Sequence, residues 1–174
     1  SSGGIHLAQM LKALETLGIQ ELEFQSAEHL HLLIEVMRAA FADRAHYLGD
    51  PAFVGDLSFL TDSGYIQKMA EHIPLDAARR SSEVGHGTRP SAESDSTTHF
   101  SIVDAEGNCV SSTQTINYSF GSCVMVPGTG ILLNNEMDDF SINPGVPNVY
   151  GLLGGEANAI APGKTPLSSM SPTI

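Results

Sequence analysis

Two adjacent threonines, Thr97 and Thr98, stand where a long polar segment gives way to an alternating polar and apolar run. A threonine hydroxyl is a weak nucleophile and needs an adjacent base. One solution uses the residue's own α-amine, whose pKa of about 8 lets it accept a proton near neutrality. That amine exists only if the chain is cut just before the threonine, so this chemistry asks for a cleavable loop ending at the nucleophile. Residues 81–96, SSEVGHGTRPSAESDS, fit that description. They hold one Val and no other large apolar side chain, and their Ser, Gly, Glu and Pro content predicts an exposed, mobile loop. On these residues alone the plainer account carries more weight: a surface loop followed by two β-branched residues that open a strand.

Other chemistry-bearing residues are fewer. The run Asn134-Asn135-Glu136-Met137-Asp138-Asp139 is superficially like a cation site. It lacks the spacing and the glycine of an EF-hand loop, so calcium is discounted, and a solvated acidic loop is the alternative. No C-x-x-C or H-E-x-x-H spacing occurs, which argues against a metal centre. Cys109 and Cys123 are expected as two separately buried thiols, with a single disulfide as the alternative.

The elements that must position these residues fall into two unlike halves. In the first, Ile5, Leu7, Met10, Leu11, Leu14 and Leu17 recur at helical spacing, and Gly18 stops the run. A longer helix is predicted over Ala27–Tyr47. Ser26 is its N-cap and Glu28 lies in its first turn; Leu30, Leu33, Ile34, Met37, Ala40 and Phe41 line one face, and Gly49 and Pro51 end it. A third helix is expected over residues 63–73, after Thr61-Asp62. The second half reads as β. Residues 99–103 alternate as a half-buried strand does, Ala105-Glu106-Gly107-Asn108 supplies turn chemistry, and residues 109–116 return as a second strand. The apolar run at residues 130–133 suggests a third strand, and beyond Phe140 the chain is rich in Gly, Pro and Asn. Helices followed by strands imply layered α+β packing.

Composition excludes several functions. Eight Lys and Arg against 20 Asp and Glu leave a formal charge of −12, which repels phosphate backbones and anionic lipid surfaces, so no nucleic-acid partner is expected. The apolar stretches are too short to span a bilayer, and none has a signal-peptide pattern. The start at Ser1-Ser2-Gly3-Gly4, without Met, is that expected of the inside of a longer polypeptide.

The stretches SSGGIH, ADRAHYLGDP, TTHFSIVDAEGN, TINYSFGS, GTGILLNNEMDDFS, PGVPNVYGLLGGEANAI and PLSSMSPTI closely resemble, in order and spacing, the gamma-glutamyltranspeptidase family of N-terminal-nucleophile hydrolases. The resemblance covers the whole chain. It implies that Thr97 is the catalytic nucleophile and that a precursor cleaves itself between Ser96 and Thr97. Residues 1–96 would then be the mainly helical end of a large subunit, closing in the mobile loop 81–96. Residues 97–174 would be the mainly β start of a small subunit. Thr115 matches a threonine that hydrogen-bonds the nucleophile.

Asn117, Glu136 and Asp139 match positions that hold the substrate's amino-acid end, where carboxylates can accept charge-assisted hydrogen bonds from an ammonium. Ser168 and Ser169 match a pair that binds the substrate α-carboxylate. The sequon Asn117-Tyr118-Ser119 is discounted as a glycosylation site, because its Asn is expected to face the pocket. His99 is read as a strand residue, and Asp43, Arg44 and Asp50 as structural residues at a helix end. The resemblance further implies a carboxylate-clamping arginine before this chain's first residue and paired glycines that supply oxyanion-hole amides beyond Ile174.

The implied fold is the αββα four-layer sandwich of N-terminal-nucleophile hydrolases, incomplete in these residues. The implied reaction is γ-glutamyl transfer from glutathione or a similar donor to water, an amino acid or a peptide. It needs no cofactor and no metal, in a periplasmic or secreted protein. A cephalosporin-acylase-like amidohydrolase on the same scaffold and a non-catalytic binding module are the rivals.

Overall fold

The computed structural model describes residues 3–84, 97–148, 151 and 153–174. Four helices come first: α1 (Gly3–Thr16), α2 (Ala27–Tyr47), α3 (Pro51–Val54) and α4 (Ser63–Glu71). A single antiparallel hairpin follows, β1 (Thr98–Val103) and β2 (Cys109–Gln114), and then a long irregular stretch broken by two short 3-10 turns. The architecture is α+β.

The helix boundaries follow the local signals. Ser26 Oγ accepts the His29 N–H at 3.1 Å and starts α2 at Ala27, while Asp62 Oδ1 accepts the Gly64 N–H at 2.8 Å and starts α4 at Ser63. Gly18 takes a left-handed φ of 72° just after α1. Helix α4 ends at Glu71, two residues before the expected boundary.

The buried faces differ from those expected. In α1, Leu7 and Leu11 point outward, and the interior side carries His6, Gln9, Ala13 and Leu14. In α2, Leu30, Ile34 and Met37 are exposed, whereas Leu32, Glu35, Val36, Ala40, Ala42 and Arg44 are buried. Both helices carry more apolar residues than one face holds, so periodicity alone does not choose the side. Polar partners choose it. Glu35 is enclosed by Arg38 and by Arg79, whose Nε lies 2.6 Å from it. Asp43 accepts from Gln9 Nε2 at 2.6 Å and from the Tyr65 hydroxyl at 2.9 Å. Rotating α2 to bury Leu30 and Ile34 would break these bonds.

One core joins Ala13 and Leu14 of α1, Leu32 and Val36 of α2, and Ile66 and Ile73 at and beyond α4. Burying each large side chain contributes about 1.5–3 kcal/mol. A second, smaller core places Leu48 and Leu60 against Leu167, and so ties the helices to the last part of the chain. Two further contacts fasten the same seam. Asp50 accepts both the N–H and the hydroxyl of Thr165 at 2.8 Å. Gly49 passes so close to Ala157 that a Cβ would lie 2.1 Å from its carbonyl oxygen. Asp43 and Asp50 are thus structural, as expected.

The hairpin pairs Thr98 with Gln114 through to Val103 with Cys109. Its turn is held by Asp104 Oδ1, which accepts the N–H groups of Glu106 and Asn108, with Gly107 at a φ of 85°. The half-burial expected of β1 is not found: every residue of that strand is exposed, including Ile102 and Val103. The third strand expected at residues 130–133 is likewise reduced to one isolated bridge, Met125 to Leu132. Gly128 and Gly130 take left-handed φ values in the turn, and backbone bonds from Val126 N to Ile131 O and from Leu133 N to Val124 O, both 2.9 Å, join its arms.

Cys109 and Cys123 are free and exposed, not buried, because nothing among the described residues covers the hairpin surface on which Cys109 sits or the turn that carries Cys123. The loop expected over residues 81–96 opens as an ordered 3-10 turn, Ser81–Glu83, in which Glu83 caps the Arg80 N–H at 2.9 Å. Residues 85–96, with Ser96, lie outside the described residues. Among the described residues no helix is long and apolar enough to cross a membrane.

Candidate active site

The hairpin register sets the first part of the site. Because Thr98 pairs with Gln114, the residues just beyond them, Thr97 and Thr115, face each other at the open end of the ladder. The Thr97 hydroxyl donates to Thr115 Oγ1 at 3.2 Å, and Thr115 Oγ1 also accepts the Asn117 N–H at 2.9 Å. The second bond helps hold Asn117 in a left-handed conformation, with φ of 74°, which Asn tolerates better than most residues. Asn117 is buried, and its side chain donates to the Asn135 carbonyl at 3.3 Å.

The acidic segment is strapped against this corner. Tyr118 N donates to Asn135 Oδ1 at 3.1 Å, Glu136 N to Asn134 Oδ1 at 3.0 Å, and the Tyr118 hydroxyl to Asp138. The 3-10 turn Glu136–Asp139 then brings the Glu136 and Asp139 carboxyls into one shared hydrogen bond. Burial, followed by the bond to Glu136 and its charge, pushes Asp139 up to about 7; Arg44 and the Asn117 amide pull the other way. At neutral pH the pair therefore holds a proton part of the time.

Asn158 carries the arrangement to the serines. Its amide donates to the Asp139 carbonyl at 2.7 Å, and its oxygen accepts the Leu167 N–H at 3.0 Å. Ser168 and Ser169 follow directly; Ser168 Oγ accepts the Met170 N–H at 3.2 Å, and Ser169 Oγ accepts from Arg44 Nη2 at 2.8 Å. A cavity of about 550 Å³ has Thr97, Thr115, Asn117, Glu136, Asp139, Ser168 and Ser169 all in its lining. The structure therefore gathers every predicted site residue except Ser96, which lies outside the described residues.

Asn158 and Arg44 are among the lining residues that the sequence does not mark as site residues. Arg44 is expected to be structural at a helix end; it lies in the last turn of α2 and also reaches the cavity wall. The signal available for it was its place on the row Val36, Ala40, Arg44, whose first two members are core residues. His99 behaves as a strand residue, bonded to Thr113 at 2.8 Å and Ser101 at 3.2 Å.

A family model described as Gamma-glutamyltranspeptidase matches residues 1–174. The chain belongs to that family. Among its gamma-glutamyltranspeptidase relatives, the "Glutathione hydrolase proenzyme" of Escherichia coli strain K12 is 50% identical over 175 residues, covering all of this chain and 30% of the relative. The "Acylase ACY 1 proenzyme" of Pseudomonas sp. strain SE83 is 42% identical, again over all of this chain and 29% of the relative. A solved structure, cephalosporin acylase from Bacillus halodurans, superposes with a TM-score of 0.62 at 28% identity, covering 93% of this chain and 27% of that one. The chain spans about a third of the length of the curated relatives it matches.

Proposed function

We propose that the protein transfers γ-glutamyl groups from glutathione or a related donor to water, an amino acid or a peptide, with Thr97 as nucleophile. The observation that carries this reading is the Thr97–Thr115 hydroxyl pair at the rim of a cavity whose walls hold Glu136 and Asp139 beside Ser168 and Ser169. A γ-glutamyl donor carries an α-ammonium and an α-carboxylate. The acidic pair is suited to the first and the serine hydroxyls to the second.

Activation would begin with attack of Thr97 Oγ on the Ser96 carbonyl. The peptide nitrogen leaves as the α-amine of Thr97, an ester joins Ser96 to Thr97 Oγ, and water opens it to a Ser96 carboxylate and a free hydroxyl. In turnover the new amine accepts the hydroxyl proton as Oγ attacks the γ-amide carbonyl. The donor's amine departs with a proton, leaving a γ-glutamyl ester on Thr97. Water or an acceptor amine then attacks that ester and restores the hydroxyl. Thr115 acts by aligning the nucleophile. These steps call for no metal and no organic cofactor.

The αββα sandwich is the fold that suits this chemistry, with β1 and β2 as two strands of one of its sheets. The exposed faces of the hairpin are apolar enough to accept neighbouring layers. The partners are then the donor, the acceptor and the two subunits of one precursor. A periplasmic or secreted location goes with the same reading.

An amidohydrolase acting on plain acyl groups is the second reading, favoured by a match to an acylase proenzyme over all of this chain and 29% of that relative. An uncharged acyl chain would leave the Glu136–Asp139 pair facing it unsatisfied, which is costly in a partly buried site. Intact-mass analysis and rates on γ-glutamyl and plain acyl anilides test both. Two fragments meeting at Ser96 and Thr97, absent in Thr97→Ala, with a preference for the γ-glutamyl anilide, are expected. A protein that stays whole, or that prefers plain acyl anilides, would overturn the proposal.

A further inference from the structure

The cation that acts on the acidic pair comes from the helical half of the chain. Arg44 lies in the last turn of α2 and is only 8% exposed. A buried guanidinium is costly unless its charge is offset and its N–H groups are bonded. The usual device is a carboxylate in direct contact, as Glu35 provides for Arg38 and Arg79. Among the described residues Arg44 has no such ion pair. Its Nη2 donates to the Ser169 hydroxyl at 2.8 Å, and its charge is felt by Asp139 at the cavity wall. Its charge also reaches His6 of α1, which sits edge-on against Phe41 and whose pKa is lowered by burial first and then by Arg44.

The bond to Ser169 has a directional consequence. A serine hydroxyl has one proton to give and two lone pairs. With a lone pair committed to Arg44, the proton is turned away from the guanidinium and is free to be offered to the cavity. An arginine in that place thus fixes a donor where the α-carboxylate would lie, and its charge lowers the cost of ionising Asp139 where the α-ammonium would lie.

We propose that Arg44 is a positioning residue for the substrate's amino-acid group, orienting the Ser169 hydroxyl towards the carboxylate from the wall of the cavity that also holds Asp139. This rests on the γ-glutamyl reading of the same cavity. It also means that, after a cut at Ser96-Thr97, the binding site would be completed across the two pieces, with Arg44 on one and its partners on the other. The groups that face Asp139 in this account are Glu136 from its own turn, Arg44 from α2 and the Asn117 amide; Asp138 lines the same cavity.

The test is steady-state kinetics of the whole processed protein against pH, for wild type, Arg44→Gln and Arg44→Lys, with γ-glutamyl and plain acyl p-nitroanilides. A charged hydrogen bond of this kind corresponds to at least about a 10-fold effect on binding. For Arg44→Gln, KM for the γ-glutamyl anilide should rise about 10-fold or more with kcat within about 3-fold. The acid limb of kcat/KM should also move to higher pH. Arg44→Lys should return the limb to its wild-type position, because the charge is kept, while KM stays raised, because the directed fork is lost.

A merely structural arginine would lower the yield of folded protein and leave KM and the limb of the surviving enzyme unchanged; that result overturns the proposal. Should Arg44→Gln fail to fold, Arg44→Lys decides alone: a raised KM with an unmoved limb supports the proposal, and an unchanged KM overturns it. The limb is read on whichever anilide the wild type prefers. A preference for the plain acyl anilide therefore overturns the substrate assignment separately from the result for Arg44.

Discussion

The hydroxyl of Thr97 donates to the hydroxyl of Thr115 at 3.2 Å, across the open end of a hairpin in which Thr98 pairs with Gln114. The two residues are 18 apart in sequence and meet only because the turn around Asp104 sets that register. Thr115 is itself oriented by the Asn117 N–H at 2.9 Å, so the Thr97 hydroxyl is steered by a fixed acceptor. Thr115→Val keeps the shape and removes the acceptor. It should lower kcat on a γ-glutamyl anilide by about 10- to 100-fold, the scale of a small misplacement of a reacting atom, while Thr115→Ser should retain most of it. A stopped assay of the two variants, with processing checked by mass, decides this.

The acidic pair predicts a pH dependence near neutrality. Asp139 is pushed up to about 7, by burial first and then by Glu136. In the proposed reaction its anionic form receives the ammonium, so kcat/KM should fall as pH drops through about 7. Glu136→Gln removes the neighbouring charge that disfavours ionisation. The acid limb should then shift to lower pH, in a direct comparison of the two pH profiles, even if KM rises.

His6 carries a pH dependence of a different kind, in stability. Burial and the Arg44 charge lower its pKa from 6.5 to about 4. Between those values the unfolded chain binds a proton that the folded chain does not, so stability rises with pH through this window and is lost as pH falls from about 6.5 towards 4. The loss is of order 3 kcal/mol over that span for one such group. His6→Gln should flatten this part of the curve of urea midpoint against pH.

Gly49 tests the seam between the helices and the cavity. A Cβ there would meet the Ala157 carbonyl oxygen at 2.1 Å and its carbon at 2.8 Å, both backbone atoms that cannot swing aside. Gly49→Ala should cost about 1–3 kcal/mol and lower the thermal midpoint by roughly 3–10 °C, measured by calorimetry. Because Arg44 precedes this contact by only five residues, KM should rise as well.

Much of this protein is legible in its residues. Ser26 and Asp62 place two helix starts, Gly107 and Asp104 mark the hairpin turn, and a long stretch of specific segments points to one family and to Thr97. These are local signals, decided by a cap, a turn or a contiguous run. The tertiary structure decided which faces of α1 and α2 turn inward, because both helices carry apolar residues on more than one side and the choice fell to polar partners such as Glu35 and Asp43. It decided that β1 and the Met125–Leu132 region stay open, because strand burial depends on neighbours that periodicity does not reveal. It also set Arg44, at its helix end, against the wall of the cavity. A charged residue's role depends on what lies 125 positions away at Ser169, and that distance is closed only by the packing of Leu167 against Leu48 and Leu60.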